Sequence, residues 1–150
     1  MDVRWVDRLT MIFKEIYTTD QIKELLKKDD IYLEVTQCDL DNWTPANDSY
    51  WFECFEDNEA IGILMLRKES QDSISFHAGI YKDQRGNGFK HCRSVVDMLH
   101  KGHPEWQIWT KTMEYNEPAR RILERLGFAM TGYIPNAKDG KKMIIYSEIK

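Results

Sequence analysis

Two glycines one residue apart, Gly86 and Gly88, lie in the stretch Asp83-Gln84-Arg85-Gly86-Asn87-Gly88, between an apolar run ending at Tyr81 and a helical pattern starting at Gly88. Such a loop gathers backbone N–H groups at the positive end of a helix, and glycine lets an anion approach with no Cβ in the way. Arg85 and Lys90 add positive charge at its margin, which makes pyrophosphate a fitting guest. A plain strand-to-helix turn is the alternative, because Gly-x-Gly on its own is common. The two standard nucleotide loops do not fit. The third glycine of Gly-x-Gly-x-x-Gly would fall at His91, and Gly88-Phe89-Lys90 is not Gly-Lys-Ser/Thr.

Cys92, near the start of the same helix, is placed where a thiolate would be stabilised, yet it shares a stripe with Phe89, Val96 and Leu99 that reads as core packing. With Cys38 and Cys54 it makes an odd number of cysteines and no Cys-x-x-Cys, so neither a disulfide framework nor a metal set is expected. A net charge of -4 gives no overall positive field for nucleic acid. The N-terminal residues lack the apolar core of a signal peptide, and no run approaches the ~20 apolar residues of a membrane span. A soluble protein of a reducing cytoplasm is the expectation, with 150 residues forming a single domain, 1–150.

The elements that must position the loop read as follows. Met11 to Tyr17 is a strand, and Thr18-Thr19-Asp20 caps a helix carrying Ile22, Leu25 and Leu26 to about Lys28. Asp29 to Asn47 reads as irregular or weakly helical. Ser49 to Glu56 and Ala60 to Arg67 form a hairpin about Asp57-Asn58-Glu59, and Ser73 to Tyr81 is a further strand. A helix runs from Gly88 to Gly102 and a strand from Trp106 to Thr112. Asn116-Glu117-Pro118 opens a helix with proline in its first turn, closed by Gly127. Ala129 to Pro135 and Lys142 to Ile149 are strands about a turn with Asn136, Asp139 and Gly140. The order β-α-(α)-β-β-β-α-β-α-β-β predicts an α/β (mixed α+β) fold, a central mixed sheet with helical cover.

Gly86 and Gly88 preceded by Arg85, then Asn116-x-x-Ala119 and Leu126-Gly127-Phe128 in that order, resemble the GNAT superfamily of acetyl-CoA-dependent N-acetyltransferases. The resemblance covers residues 50 to 135 well and the N-terminal part by topology. It implies the acyl-CoA N-acyltransferase fold, with a mixed, mostly antiparallel sheet, and acetyl-CoA as co-substrate without a metal. It further implies that the backbone of Gly79, Ile80 and Tyr81 pairs with pantetheine in a splayed strand. The loop residues Arg85, Gly86, Asn87, Gly88, Phe89 and Lys90 would then hold the pyrophosphate, with Asn116 near the thiol end. The alternative for Asn116 is a simple helix cap. Asp83 departs from the family's Gln/Arg position, and Leu123 stands where many relatives carry a tyrosine acid. A looser likeness to bacteriophage GNAT-like proteins, carried by Phe76-His77-Ala78-Gly79-Ile80, Gly127-Phe128 and Gly132, would imply a viral source and the host cytoplasm.

The activity implied is transfer of acetyl from acetyl-CoA to an amine of a small molecule or protein by direct attack on the thioester. A lysine-type amine is neutral in only about one molecule in 2,500 at pH 7, against roughly one in ten for an α-amino group, so a base is useful. His77, four residues before Tyr81 on the strand beside the expected thioester, is the first candidate and Glu53 the second. Their structural alternatives are a hydrogen-bonded sheet histidine and a solvent-facing strand residue. Tyr115 and Tyr133 are the candidates to replace the missing tyrosine. The rival reading is a GNAT-like interaction or assembly protein that keeps the fold without activity, docking a protein partner or a second copy through Trp43, Tyr50, Trp51 and Trp109.

Overall fold

The computed structural model describes residues 11–28, 40 and 43–149. The first strand, β1, is Met11–Ile16, and Thr18 accepts the Gln21 amide at 3.2 Å to cap helix α1, Thr19–Lys27. Helix α1 buries Ile22 and Leu26. Most of the irregular segment expected from Asp29 to Asn47 lies outside the described residues, as does Cys38.

Strands β2, Ser49–Glu56, and β3, Glu59–Ser70, form the expected hairpin. Its two-residue turn is Asp57-Asn58, with φ of 50° and 66°, the left-handed pair that matches the natural twist of a hairpin. Strand β3 runs three residues beyond the expected Arg67, because Lys68 to Ser70 pair with the start of β4, Ser73–Ile80. A 3-10 turn at Lys82–Asn87 leads into α2, Gly88–Gly102. Then follow β5, Gln107–Met113, α3, Glu117–Arg125, β6, Phe128–Lys138, and β7, Lys141–Glu148. The β6–β7 turn is Asp139-Gly140, with φ of 51° and 74°. Asn136, expected in that turn, instead sits left-handed inside β6 where its register with β7 shifts.

Among the described residues the strands make one seven-stranded sheet in the order β1-β2-β3-β4-β5-β7-β6. Every neighbouring pair is antiparallel except β4 and β5. One face packs Leu64, Leu66, Ile74, Phe76 and Ile108 against Val95, Val96 and Leu99 of α2 and Leu123 of α3. The other packs Trp51, Ile63 and Tyr81 against Ile22 and Leu26 of α1. This is the mixed sheet with helical cover that the element order implied, and it is mostly antiparallel, as the resemblance implied.

Gly62 and Gly79 mark a crowded point where β3 meets β4. A Cβ on Gly62 would lie 2.1 Å from the Gly79 carbonyl oxygen and 3.1 Å from the Ile80 Cα, both backbone atoms that cannot rotate away. Gly62→Ala is therefore expected to cost about 1–3 kcal/mol or more of folding stability as the two strands are forced apart. Denaturant unfolding measures this; a midpoint unchanged from the parent would show that the strands have slack.

Candidate functional site

The parallel pair β4–β5 is short. Its partners are Ser73 with Gln107, Ile74 with Ile108 and Ser75 with Trp109, and there the ladder stops. At the next step the Thr110 hydroxyl donates to the Phe76 carbonyl at 2.5 Å, a side chain taking the place of a backbone donor. Strand β5 goes on pairing with β7 to Met113, while β4 goes on pairing with β3. The two strands thus diverge, each held on its far side.

The Tyr81 amide donates to Ile61 on β3 at 2.9 Å, which fixes the alternation of the ladder. Peptide groups two residues apart share a direction in a strand, so those of Phe76, Ala78 and Ile80 face the open edge. Arg85 Nε donates to the Ile80 carbonyl at 3.2 Å. Of the three backbone positions expected to face pantetheine, Ile80 lies on this edge. Gly79 and Tyr81 alternate toward β3, and the Tyr81 hydroxyl donates to Glu53 at 2.8 Å.

Between the diverging strands lies a cavity of about 320 Å³, lined on the β4 side by Phe76, His77, Ala78 and Ile80 and on the β5 side by Thr110, Lys111 and Thr112. Arg85, Gly88 and Cys92 form its α2 end. Asn116, Ala119, Ile122 and Leu123 close it from α3, whose Arg120 Nε donates to the buried Tyr146 hydroxyl at 2.9 Å. Asn116 Oδ1 caps α3 by accepting the Ala119 amide at 3.4 Å, which leaves its Nδ2 as the donor available to a ligand.

The loop residues divide by role. Gly88 begins α2, and a Cβ there would come within 2.9 Å of Ile122 Cδ1, so its smallness lets α3 approach. Gly86 faces open space, with nothing within 4 Å of an added Cβ. Lys90 pairs with Glu56 at 3.0 Å, and Phe89 carries the Arg125 guanidinium 3.8 Å above its ring. Gly86, Asn87, Phe89 and Lys90 do not line the cavity; they are chain neighbours of Arg85 and Gly88, which do. Asp83 is exposed, and Gln84 is buried with its amide donating to Glu59.

A second cavity, about 210 Å³, opens on the α1 side of the sheet between Trp43, Trp51, Arg67, Glu69 and Ser75. It shares His77 and Lys111 with the first. Trp43 and Trp51 meet edge to face at 5.5 Å, so two of the aromatics considered for an interface pack together along this wall, while Tyr50 is exposed. Glu53 lines neither cavity. Tyr115 and Tyr133 are exposed and line neither, and Leu123 is buried in the wall of the first.

Burial, with the Lys111 charge as a second cause, lowers the His77 pKa to about 4, so its imidazole is neutral at physiological pH. Burial pushes the Cys92 thiol up to about 11 and raises Cys54 further, which makes both packing residues rather than thiolates. Sequence reasoning missed Thr110 and Lys111. Their only sequence signal is the alternation Trp109, Thr110, Lys111, Thr112, and nothing in it tells which strand lies alongside.

Three solved structures superpose on this chain's fold. Spermidine N-acetyltransferase from Vibrio cholerae in complex with CoA and spermine superposes with a TM-score of 0.73 at 13% identity, covering 92% of this chain and 94% of that one. The ribosomal L7/L12 alpha-N-protein acetyltransferase RimL gives 0.71 at 13% identity, over 94% and 91%. The ribosomal-protein-S5-alanine acetyltransferase from Vibrio fischeri gives 0.68 at 15%, over 93% of each. The chain has the GNAT fold. No family model matches its sequence, and no curated protein is significantly similar to it. The likeness of the GNAT fold here is carried by the backbone, with the sequence far diverged.

The lowered His77 value has a consequence for stability. In the unfolded chain His77 gains its proton near pH 6.5, while in the fold it resists until about 4. Between those values the unfolded state binds more protons, so stability falls as pH drops from 6.5 toward 4, by roughly 3 kcal/mol at most. His91, also lowered by burial, acts in the same direction. Replacing His77 by Gln should remove part of this slope in pH-dependent unfolding; an identical slope would mean His77 is well solvated.

Proposed function

We propose that the protein is an acetyl-CoA-dependent N-acetyltransferase, with pantetheine lying in the cleft between β4 and β5 and an amine acceptor of a small molecule or protein entering from the Trp43–Trp51 side. The observation that carries this reading is the edge of β4 at Ala78 and Ile80, which no strand among the described residues covers, together with two cavities that share His77 and Lys111 in their walls. Extended amide-containing ligands bind such an edge as an added strand. The fit is supported by the clear space at Gly86 and by Arg85 at the α2 end.

When bound, acetyl-CoA supplies an activated acetyl thioester. The chain aligns its amide groups on the Ala78–Ile80 edge and aims its carbonyl at the junction of the cavities, where an acceptor nitrogen arrives from the opposite side. His77 is too weak a base to strip a resting ammonium, whose pKa near 10.4 lies about six units higher. The acceptor therefore reacts as the neutral amine, and His77 takes its proton only after nitrogen has bonded to carbon and become strongly acidic. Glu53, held by Tyr81 and outside both cavities, is a supporting residue of β4's end in this reading rather than the base. Gly79 and Tyr81 hold the strand against β3, while the loop from Arg85 to Lys90, with Asn87 and Phe89, frames the pyrophosphate.

The test is calorimetric titration with CoA and acetyl-CoA. Binding of both is expected, and Gly86→Ala should weaken it by about tenfold, near 1.4 kcal/mol, without moving the melting temperature, because an added Cβ has nothing of the protein within 4 Å. Folded protein that takes up neither ligand would overturn the proposal and favour the assembly role.

A further inference from the structure

The departing sulfur of a thioester carries negative charge, and this chain has no tyrosine at position 123 to receive it. Leu123 is buried and apolar in the cavity wall. The charges that can act at the junction are few. Among the described residues, Arg85 lines the first cavity, Arg67 and Glu69 the second, and Lys111 both, alongside neutral His77.

Most of these are already engaged. Arg67 pairs with Asp48 at 3.1 Å and lies 3.8 Å from Glu69. Glu69 accepts the Ser75 hydroxyl at 2.8 Å, and Arg85 is tied to the Ile80 carbonyl at the far end of β4. Lys111 has no hydrogen-bonded or ion-paired partner among the described residues. It stands on β5 just past the end of the β4–β5 ladder, two residues after Trp109, where the strands have parted and where it lines both cavities. Its charge already reaches the site, since it contributes to holding His77 neutral.

We infer that Lys111 is a catalytic residue whose ammonium stabilises the thiolate leaving from CoA, performing by charge what a tyrosine at position 123 would perform by proton donation. The inference rests on the acetyl-transfer reading above. In the step itself, the acceptor nitrogen bonds to the carbonyl carbon, the carbon–sulfur bond breaks and its electron pair leaves on sulfur. The acceptor's proton passes to His77 and on to solvent. The thiolate stays beside the Lys111 ammonium until it takes a proton from water. An alkylammonium is generally a weaker acid than a thiol, about 10.4 against 8.5, so such a group acts by its field rather than by giving up its proton. Inside a partly desolvated cavity that field is far stronger than in water.

The inference can be tested without knowing the acceptor. Affinities for CoA and for acetyl-CoA are measured by calorimetry from pH 7 to 9.5 on the full chain, on Lys111→Met, and on Lys111→Gln and Lys111→Arg. Only free CoA can bind as a thiolate. The parent should come to prefer CoA over acetyl-CoA as pH rises, by about tenfold for each unit that the bound thiol's pKa is lowered. Lys111→Arg should keep that preference, while the Met and Gln variants lose it and still bind acetyl-CoA. A merely structural lysine would weaken both ligands alike. The inference is overturned if both ligands bind and the neutral variants show the same pH-dependent preference as the parent. If the parent binds neither ligand, the acetyl-transfer reading fails first and takes this one with it.

Discussion

The site depends on the early end of one strand pairing. Parallel strands that stayed hydrogen-bonded from Ser73 to Ile80 would leave no cleft. Pairing instead ends at Ser75 and Trp109, and the Thr110 hydroxyl satisfies the next carbonyl, that of Phe76. A buried carbonyl without a partner costs roughly 1–3 kcal/mol, so this one bond allows the divergence to begin without that penalty. Past it, the β3 ladder fixes β4, and β7 fixes β5. The lack of a side chain at Gly62 lets β4 lie close against β3 where its other edge has no strand partner among the described residues. Continuous pairing with β3 keeps the other edge of β4 in extended conformation, which is what a template for an incoming strand-like ligand requires.

Electrostatics at the junction follow from the same divergence. The opening on both faces of the sheet places His77 and Lys111 in two cavities at once. His77, partly buried and close to the Lys111 cation, loses basicity, while Lys111 has no hydrogen-bonded or ion-paired partner among the described residues. One cause produces both properties. In the proposed reaction such a site favours a neutral nucleophile and a developing anion over a resting ammonium ion.

Much of this fold is legible in the sequence wherever a local rule decides it. Thr18 and Asn116 cap their helices with their own side chains, and Asp57-Asn58 turns the hairpin. The bounds are less legible where polarity hides pairing: Lys68 to Ser70, and Asn136 and Ala137, are exposed strand residues without the apolar alternation that marks a strand. The glycine loop was readable as a place, though the two glycines differ in cause, Gly88 for a helix and Gly86 for open space. Thr110 and Lys111 were not readable at all. Their importance comes from which strand lies beside β5 and where that neighbour departs, and such long-range register has no trace in residue spacing.

We propose that acetyl-CoA lies along the edge of β4 that no described strand covers. Amide hydrogen exchange at Ala78 and Ile80, followed residue by residue with and without CoA, tests it most directly. Both amides should become strongly protected on CoA addition, while amides within the β6–β7 hairpin stay unchanged. CoA binding that leaves Ala78 and Ile80 exchanging at their original rates would contradict the account.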